Sequence, residues 1–232
     1  MDIEIEENLA KVQEYEEEID KQHISFAFKK KPVYSIIKRL FDILSSLVLI
    51  ILLLPLFLIV MIVIIIDDKN GQPIFTQERC GKNGKKFKLY KFRTMRPDAE
   101  DCLEELKNQN EMDGPVFKIK NDPRITKIGK FLRSTNIDEL PQIFNILKGD
   151  MSFVGSRPPL PKEVEQYDDY DKLRLLVVPG LTCYWQVQTN RNSTSFKEWM
   201  ELDRQYIIER NLFVDIKLIF KTFLMIFKRD GC

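Results

Sequence analysis

The chain has 232 residues, 44% of them hydrophobic, which is enough for one domain with a real core. A net charge of +1 hides a division: residues 1–20 hold nine acidic side chains against one lysine, a local charge of −8, so the remainder carries +9. That basic body suits anionic lipid and phosphates without any recognised nucleic-acid motif, while four scattered cysteines and a single histidine, His23, argue against a disulfide framework, a zinc site and histidine-based catalysis.

Residues 1 to about 30 are acidic, with Leu9, Val12, Tyr15 and Ile19 at helix-like intervals, so a short helix and a flexible tail both fit. The charged extension is too long, and the apolar run begins too late, for a cleavable signal. From Ile43 to Ile66 come 24 uncharged residues, about 36 Å of helix against a hydrocarbon core of about 30 Å. Length alone permits a membrane span. Pro55 opposes it by removing a backbone bond within the run, and so does the charge balance, because the twenty residues on each side carry five cations each. Two arms meeting at Pro55 would instead enter a bilayer and return to the same face.

Pro73–Gly84 and Phe87–Met95 read as two short strands joined by a Gly-Lys-Asn-Gly turn. Alternation puts Phe87, Leu89, Lys91 and Arg93 on one face of the second strand, with Lys88, Tyr90 and Phe92 on the other. Residues 97–114 are expected to form a charged helix ended by Asp113-Gly-Pro115. Next, Ile125, Ile128 and Leu132 share a helical face while Lys127, Lys130 and Arg133 recur on another, a basic strip leading to Asp138 and Glu139. Asn136 with Glu139 fits a capping box, so the carboxylates belong to a first helical turn, where free N–H groups keep a carboxylate ionised and attract phosphate. A capped surface helix is the plainer reading of those residues alone. Gly149, Gly155 and the Arg157-Pro158-Pro159 turn then return a guanidinium by a tight path, leaving two carboxylates between arginines. Asp168-Asp-Tyr-Asp171 imitates an Asp-x-Asp metal element but reads better as an acidic surface turn. Leu212–Arg229 forms an apolar helix with Lys217, Lys221 and Lys228 beside Phe220, Phe223 and Phe227, suited to lying in a headgroup layer.

The runs Ile-Asp-Glu-Leu-Pro-Gln142, Lys148-Gly-Asp-Met-Ser152 and Val154-Gly-Ser-Arg-Pro158 resemble the bacterial monotopic phosphoglycosyl transferases, which move a sugar phosphate from a nucleotide sugar onto polyprenyl phosphate. The resemblance runs from about Tyr34 to the C-terminus. It implies that Asp138 is the nucleophile, Glu139 its partner at a Mg2+ site formed by both carboxylates, and Arg133 and Arg157 phosphate-binding. Tyr90-Lys-Phe-Arg-Thr-Met95 is similar to the family's active-site strand, which makes Lys91 and Arg93 candidate substrate contacts. Pro179–Val187 with Arg191 and Asn192 resembles its nucleotide-sugar motif, which adds Gln186 and Arg191. Ser156 stands where the family has proline, Cys183 where it has glycine, and Leu54 where a serine precedes the helix-breaking proline.

The expectation is therefore an α+β, mainly helical monotopic membrane protein, with an N-terminal re-entrant helix broken at Pro55, a small β-hairpin and interfacial amphipathic helices. Residues 1–33 form an acidic extension, 34–68 the membrane helix and 69–232 a cytosolic catalytic domain on the cytoplasmic face of the plasma membrane. The implied partners are a UDP-sugar, undecaprenyl phosphate and membrane lipid, with a homo-oligomer left open. Magnesium is expected because an anionic nucleophile must approach an anionic diphosphate. The rivals are a conventional metal-dependent glycosyltransferase using Asp169 and Asp171, which would release a nucleoside diphosphate, and a non-catalytic membrane adaptor.

Overall fold

The computed structural model describes residues 31–227 except 70, 107, 109, 112, 118, 120, 121 and 189–193. The acidic extension with His23, and also Arg191, Lys228 and Cys232, lie outside the described residues. The rest is α+β and mainly helical, with two small two-stranded sheets.

Helix α1, Pro32–Asp67, opens with proline at its first turn, where a missing N–H costs nothing. It passes through Pro55 without interruption, where a break was expected. Proline's fixed φ is itself helical, and here the loss of one donor does not end the helix. Among the described residues α1 is the one helix long and apolar enough to cross a membrane. Its middle is open, with Ile51 72% exposed and Val48 and Leu52 also exposed, while both ends are tied to the rest of the protein. Near the start, the Tyr34 hydroxyl donates to Asp215 at 2.8 Å and Lys38 pairs with the same carboxylate at 2.6 Å. One turn on, Asp42 accepts from the Ser152 hydroxyl and the Phe153 N–H. Toward the far end Phe57, Val60 and Ile64 pack with Phe92, Leu132 and Ile143, a burial that contributes about 1.5–3 kcal/mol per large side chain. Phe57 meets Phe92 edge-on at 5.6 Å.

Strands β1, Ile74–Cys80, and β2, Lys86–Phe92, pair antiparallel from Ile74↔Phe92 to Cys80↔Lys86. The turn between them holds Asn83 and Gly84 at φ 57° and 73°, the left-handed values that these residue types accept. Among the described residues of the charged helix expected over 97–114, the helical turn is α2, Leu103–Leu106. The physical reason is that this stretch offers no continuous apolar stripe to bury and contains Asn108 and Asn110, which compete with the helix through their own side chains.

Helix α3, Lys127–Ser134, is capped by the Thr126 hydroxyl, which accepts from the Gly129 N–H. Ile128 and Leu132 face the core as expected. A 3-10 turn, Ile137–Glu139, leads into α4, Gln142–Lys148, and then into β3, Ser152–Val154. A short helix α5, Pro161–Val164, precedes β4, Gly180–Thr182, which pairs parallel with β3. These two strands approach so closely that a β-carbon on Gly180 would lie 2.0 Å from the Gly155 nitrogen. Both glycines are therefore required by space. Helix α6, Phe196–Glu209, has the Ser195–Glu198 capping box, and α7, Leu212–Phe227, buries Asp215 and Leu218. On its outer side Phe213, Ile216, Phe220 and Phe223 are exposed beside the exposed Lys217 and Lys221.

Candidate active site

The hairpin, the 3-10 turn and the β3–β4 pair converge on one cleft, lined by Arg79, Lys91, Glu139, Gln142, Arg157 and Gln186 among others. Cross-strand neighbours in the hairpin project to the same side, so Phe75, Gln77 and Arg79 share a face with Lys91, Leu89 and Phe87. The expected alternation holds: Leu89 and Lys91 line this cleft, while Tyr90 and Phe92 line an apolar cavity of about 370 Å³ on the opposite face, against α1.

Asp138 and Glu139 sit on the 3-10 turn just before α4. The capping box expected from Asn136 does not form, because Asn136 adopts the left-handed conformation and its side chain makes no cap bond. With Pro141 unable to donate, the regular helix starts only at Gln142. Lys91 donates to Glu139 Oε1 at 2.7 Å. Burial opposes ionisation of Glu139, but the charge and hydrogen bond of Lys91, aided by Arg157 and Arg79, outweigh it and hold its carboxyl below the usual range. Asp138 is only 7% exposed, and burial pushes its carboxyl up to about 6; Lys91 and Arg133 restrain that rise while the neighbouring Glu139 adds to it. At neutral pH both remain anionic, and Asp138 is the more basic of the two.

Arg157 faces two indoles, its guanidinium lying 5.9 Å from Trp185 and 5.8 Å from Trp199, whose rings stack at 4.5 Å. Its carbonyl accepts from Arg174 Nη2 at 2.9 Å, and Arg174 is paired with the buried Asp203 at 2.6 Å. Ser156, in the position of the family's proline, accommodates this frame by donating to the Arg174 carbonyl. Arg133 donates from Nε to the Thr94 hydroxyl and lies close enough to act on Asp138. Gln186 lines the cleft, and Trp185 belongs to the core beneath it. Arg93 is not brought to the cleft. Its guanidinium donates to the Asp68 carbonyl at 2.9 Å and ties down the end of α1.

Arg79 and Gln142 are cleft residues that the motif reading passed over. The signal for Arg79 is the hairpin register, since a tight turn at 81–84 places it on the Lys91 face. The rival Asp-x-Asp element is a surface turn: Asp168 accepts the Asp171 N–H, and the exposed Asp169 pairs with Lys172 at 3.1 Å. Among the cleft-lining residues there are three cations, Arg79, Lys91 and Arg157, against one anion, Glu139, which leaves the wall at +2. Among the described residues no group of three or more His, Cys, Asp or Glu forms a metal cage. The Asp138–Glu139 pair nevertheless fits magnesium, which is commonly held by one or two carboxylates with the remaining positions left to substrate phosphate and water.

Residues 33–229 match the family described as bacterial sugar transferase. The chain is 51% identical over 164 residues to the galactosyl transferase CpsE of Streptococcus agalactiae, covering 70% of this chain and 36% of that protein. It is 40% identical over 202 residues to the undecaprenyl-phosphate galactose phosphotransferase of Salmonella typhimurium, covering 84% of this chain and 41% of that protein. With the exopolysaccharide production protein ExoY of Rhizobium meliloti it shares 39% identity over 196 residues, covering 83% and 86%. The chain thus spans less than half the length of the first two relatives and most of the third. On a family match across nearly all the described residues, this chain belongs to the bacterial sugar transferase family.

Proposed function

We propose that the chain transfers a sugar 1-phosphate from a UDP-sugar to undecaprenyl phosphate, releasing UMP, as a membrane step of exopolysaccharide or capsule synthesis. The observation that carries this reading is the buried Asp138 beside the half-buried Glu139, with Lys91 bonded to Glu139 and a cleft wall at +2. A carboxylate needs no base to become a nucleophile at neutral pH, which suits a site with no histidine among the described residues. An Asp138 oxygen attacks the sugar-linked phosphorus, the bond from that phosphorus to the bridging oxygen breaks, and UMP leaves with the electron pair. The lipid phosphate then attacks the same phosphorus and restores the carboxylate, so the atoms and charges balance over two steps at one site. Asp138 and Glu139 would hold magnesium, which when bound neutralises charge between carboxylate and diphosphate. Lys91 keeps Glu139 anionic, and Arg133 and Arg157 orient phosphate oxygens. Incubating the protein in membranes with undecaprenyl phosphate and a panel of UDP-sugars should yield UMP; the names of two relatives put UDP-galactose first in the panel. Release of UDP would favour a conventional glycosyltransferase, and nucleotide-sugar binding with no turnover an adaptor.

The same proposal places α1 in the cytoplasmic leaflet without crossing the bilayer, with residues 69–232 as the catalytic domain above it. Support comes from the two ends of α1, since Tyr34 and Lys38 near one end and Asp68 just beyond the other bond to the same body. A helix that crossed would carry one end about 30 Å away from it. A cysteine at Val33 or at Lys69 should accordingly resist a membrane-impermeant thiol reagent applied to intact cells. Adding Pro55→Leu should expose a fraction of the Val33 label by favouring a straight span. Full labelling of the Val33→Cys protein without that change would show that α1 crosses.

A further inference from the structure

Arg79 is only 7% exposed, yet among the described residues its guanidinium is paired with no carboxylate. Nε and Nη2 donate to Gln77 Oε1 at 3.1 and 2.6 Å, and Nη1 donates to the Pro158 carbonyl at 3.0 Å. Pro158 is the residue after Arg157. The backbone thus holds the two arginines in one wall of the cleft, and among the described residues the Arg157 guanidinium meets two indole faces and pairs with no acid. Neutral acceptors satisfy three N–H directions of Arg79, and the carboxylates that act on its charge, Glu163 and Glu139, do so without forming an ion pair with it. Burial, with Arg157's charge second, depresses its pKa to about 10. A buried cation facing another cation is unfavourable unless an anion joins them.

We propose that Arg79 and Arg157 form a two-guanidinium clamp for the diphosphate of the donor. This rests on the nucleotide-sugar reading of the cleft. The wall's +2 matches the two charges of a diphosphate diester. Gln77 and the Pro158 carbonyl fix the plane of the Arg79 fork, so its remaining N–H groups meet the anion with little loss of side-chain freedom.

The test uses the full chain in nanodiscs and titrates UDP, UMP and inorganic pyrophosphate by calorimetry, alongside melting of the unliganded protein. Arg79→Met and Arg79→Lys should each weaken UDP about ten-fold or more, the lysine form failing because it lacks the planar fork. Melting of the unliganded Arg79→Met protein should match or exceed the parent's, since a buried charge with no ion-pair partner among the described residues has been removed. Parent-like UDP affinity in either variant would overturn the clamp and leave the nucleotide-sugar reading standing. So would a large fall in melting temperature for Arg79→Met with unchanged UDP affinity in Arg79→Lys, because Arg79 would then be a strut for the Pro158 turn. If the parent binds pyrophosphate in an Arg79-dependent way but neither nucleotide, the clamp stands and the nucleotide-sugar reading fails. Vesicles of phosphatidylglycerol added as competitor should leave UDP binding intact; displacement of UDP would reassign the pair to lipid headgroups.

Discussion

Replacing Asp138 with asparagine is expected to reduce UMP release by on the order of 10⁴-fold or more, even when no lipid acceptor is present. The amide keeps the shape of the carboxylate and removes its charge, and an amide oxygen is far too weak a nucleophile to open a diphosphate. The fold should not suffer. Burial already raises the Asp138 pKa, so its charge is carried in the native state at a cost, and the asparagine protein should melt at or above the parent temperature. The parent, incubated with donor alone, should accumulate a sugar-phosphate adduct on the 138 side chain that intact-mass spectrometry detects, and the variant should show none. Substantial UMP release by the Asp138→Asn protein would leave direct transfer between the substrates as the better mechanism.

The second large effect is expected from Lys91→Met, which should lower turnover on the order of 10²-fold. Lys91 is bonded to Glu139 at 2.7 Å and is foremost among the charges that restrain Asp138. Its removal leaves adjacent carboxylates without a counter-charge on the β2 side, and breaking a partly buried pair costs more than the pair itself contributes. Methionine fills much the same volume, so the hairpin should persist. Lys91→Arg should recover part of the rate because charge is what the pair requires. The measurement is UMP release at saturating donor, and a parent-like rate in the methionine protein would remove Lys91 from the site.

Local features were legible where a short stretch decides its own geometry. Phe87 to Phe92 alternate because a tight turn and a two-residue period leave no other register, so the face Lys91 shares with Leu89 was legible from sequence, while its candidacy as a substrate contact came from the resemblance and its bond to Glu139 only from the structure. Asp138 and Glu139 were legible as a pair, although their turn was not, since Asn136 tolerates the left-handed region and Pro141 delays the helix. Arg79 requires the register to be carried across the hairpin, which a reading of separate motifs does not do. Arg93 shares a strand face with Lys91 in pattern, but it lies one residue past the last paired position and turns to the end of α1. The β3–β4 pair joins three-residue strands with 25 residues between them, too short and too distant for any periodicity to announce. The apolar run of α1 was plain, but a continuous helix through Pro55 depends on contacts at both ends that composition does not reveal.

Helix α4 has a carboxylate pair before its first residue and, at its other end, carbonyls of Ile146 and Leu147 that accept from the Arg39 guanidinium of α1 at 2.6 and 2.8 Å. Seven residues, about 10 Å, separate the two. The helix therefore acts as a height gauge. Whatever layer seats α1, Asp138 rides at a set altitude over it, and on the proposed mechanism the acceptor's phosphate would have to present itself at that altitude. Headgroup composition and bilayer thickness would then tune the second half of the reaction, where the lipid is met, and leave the first half, fed from water, untouched.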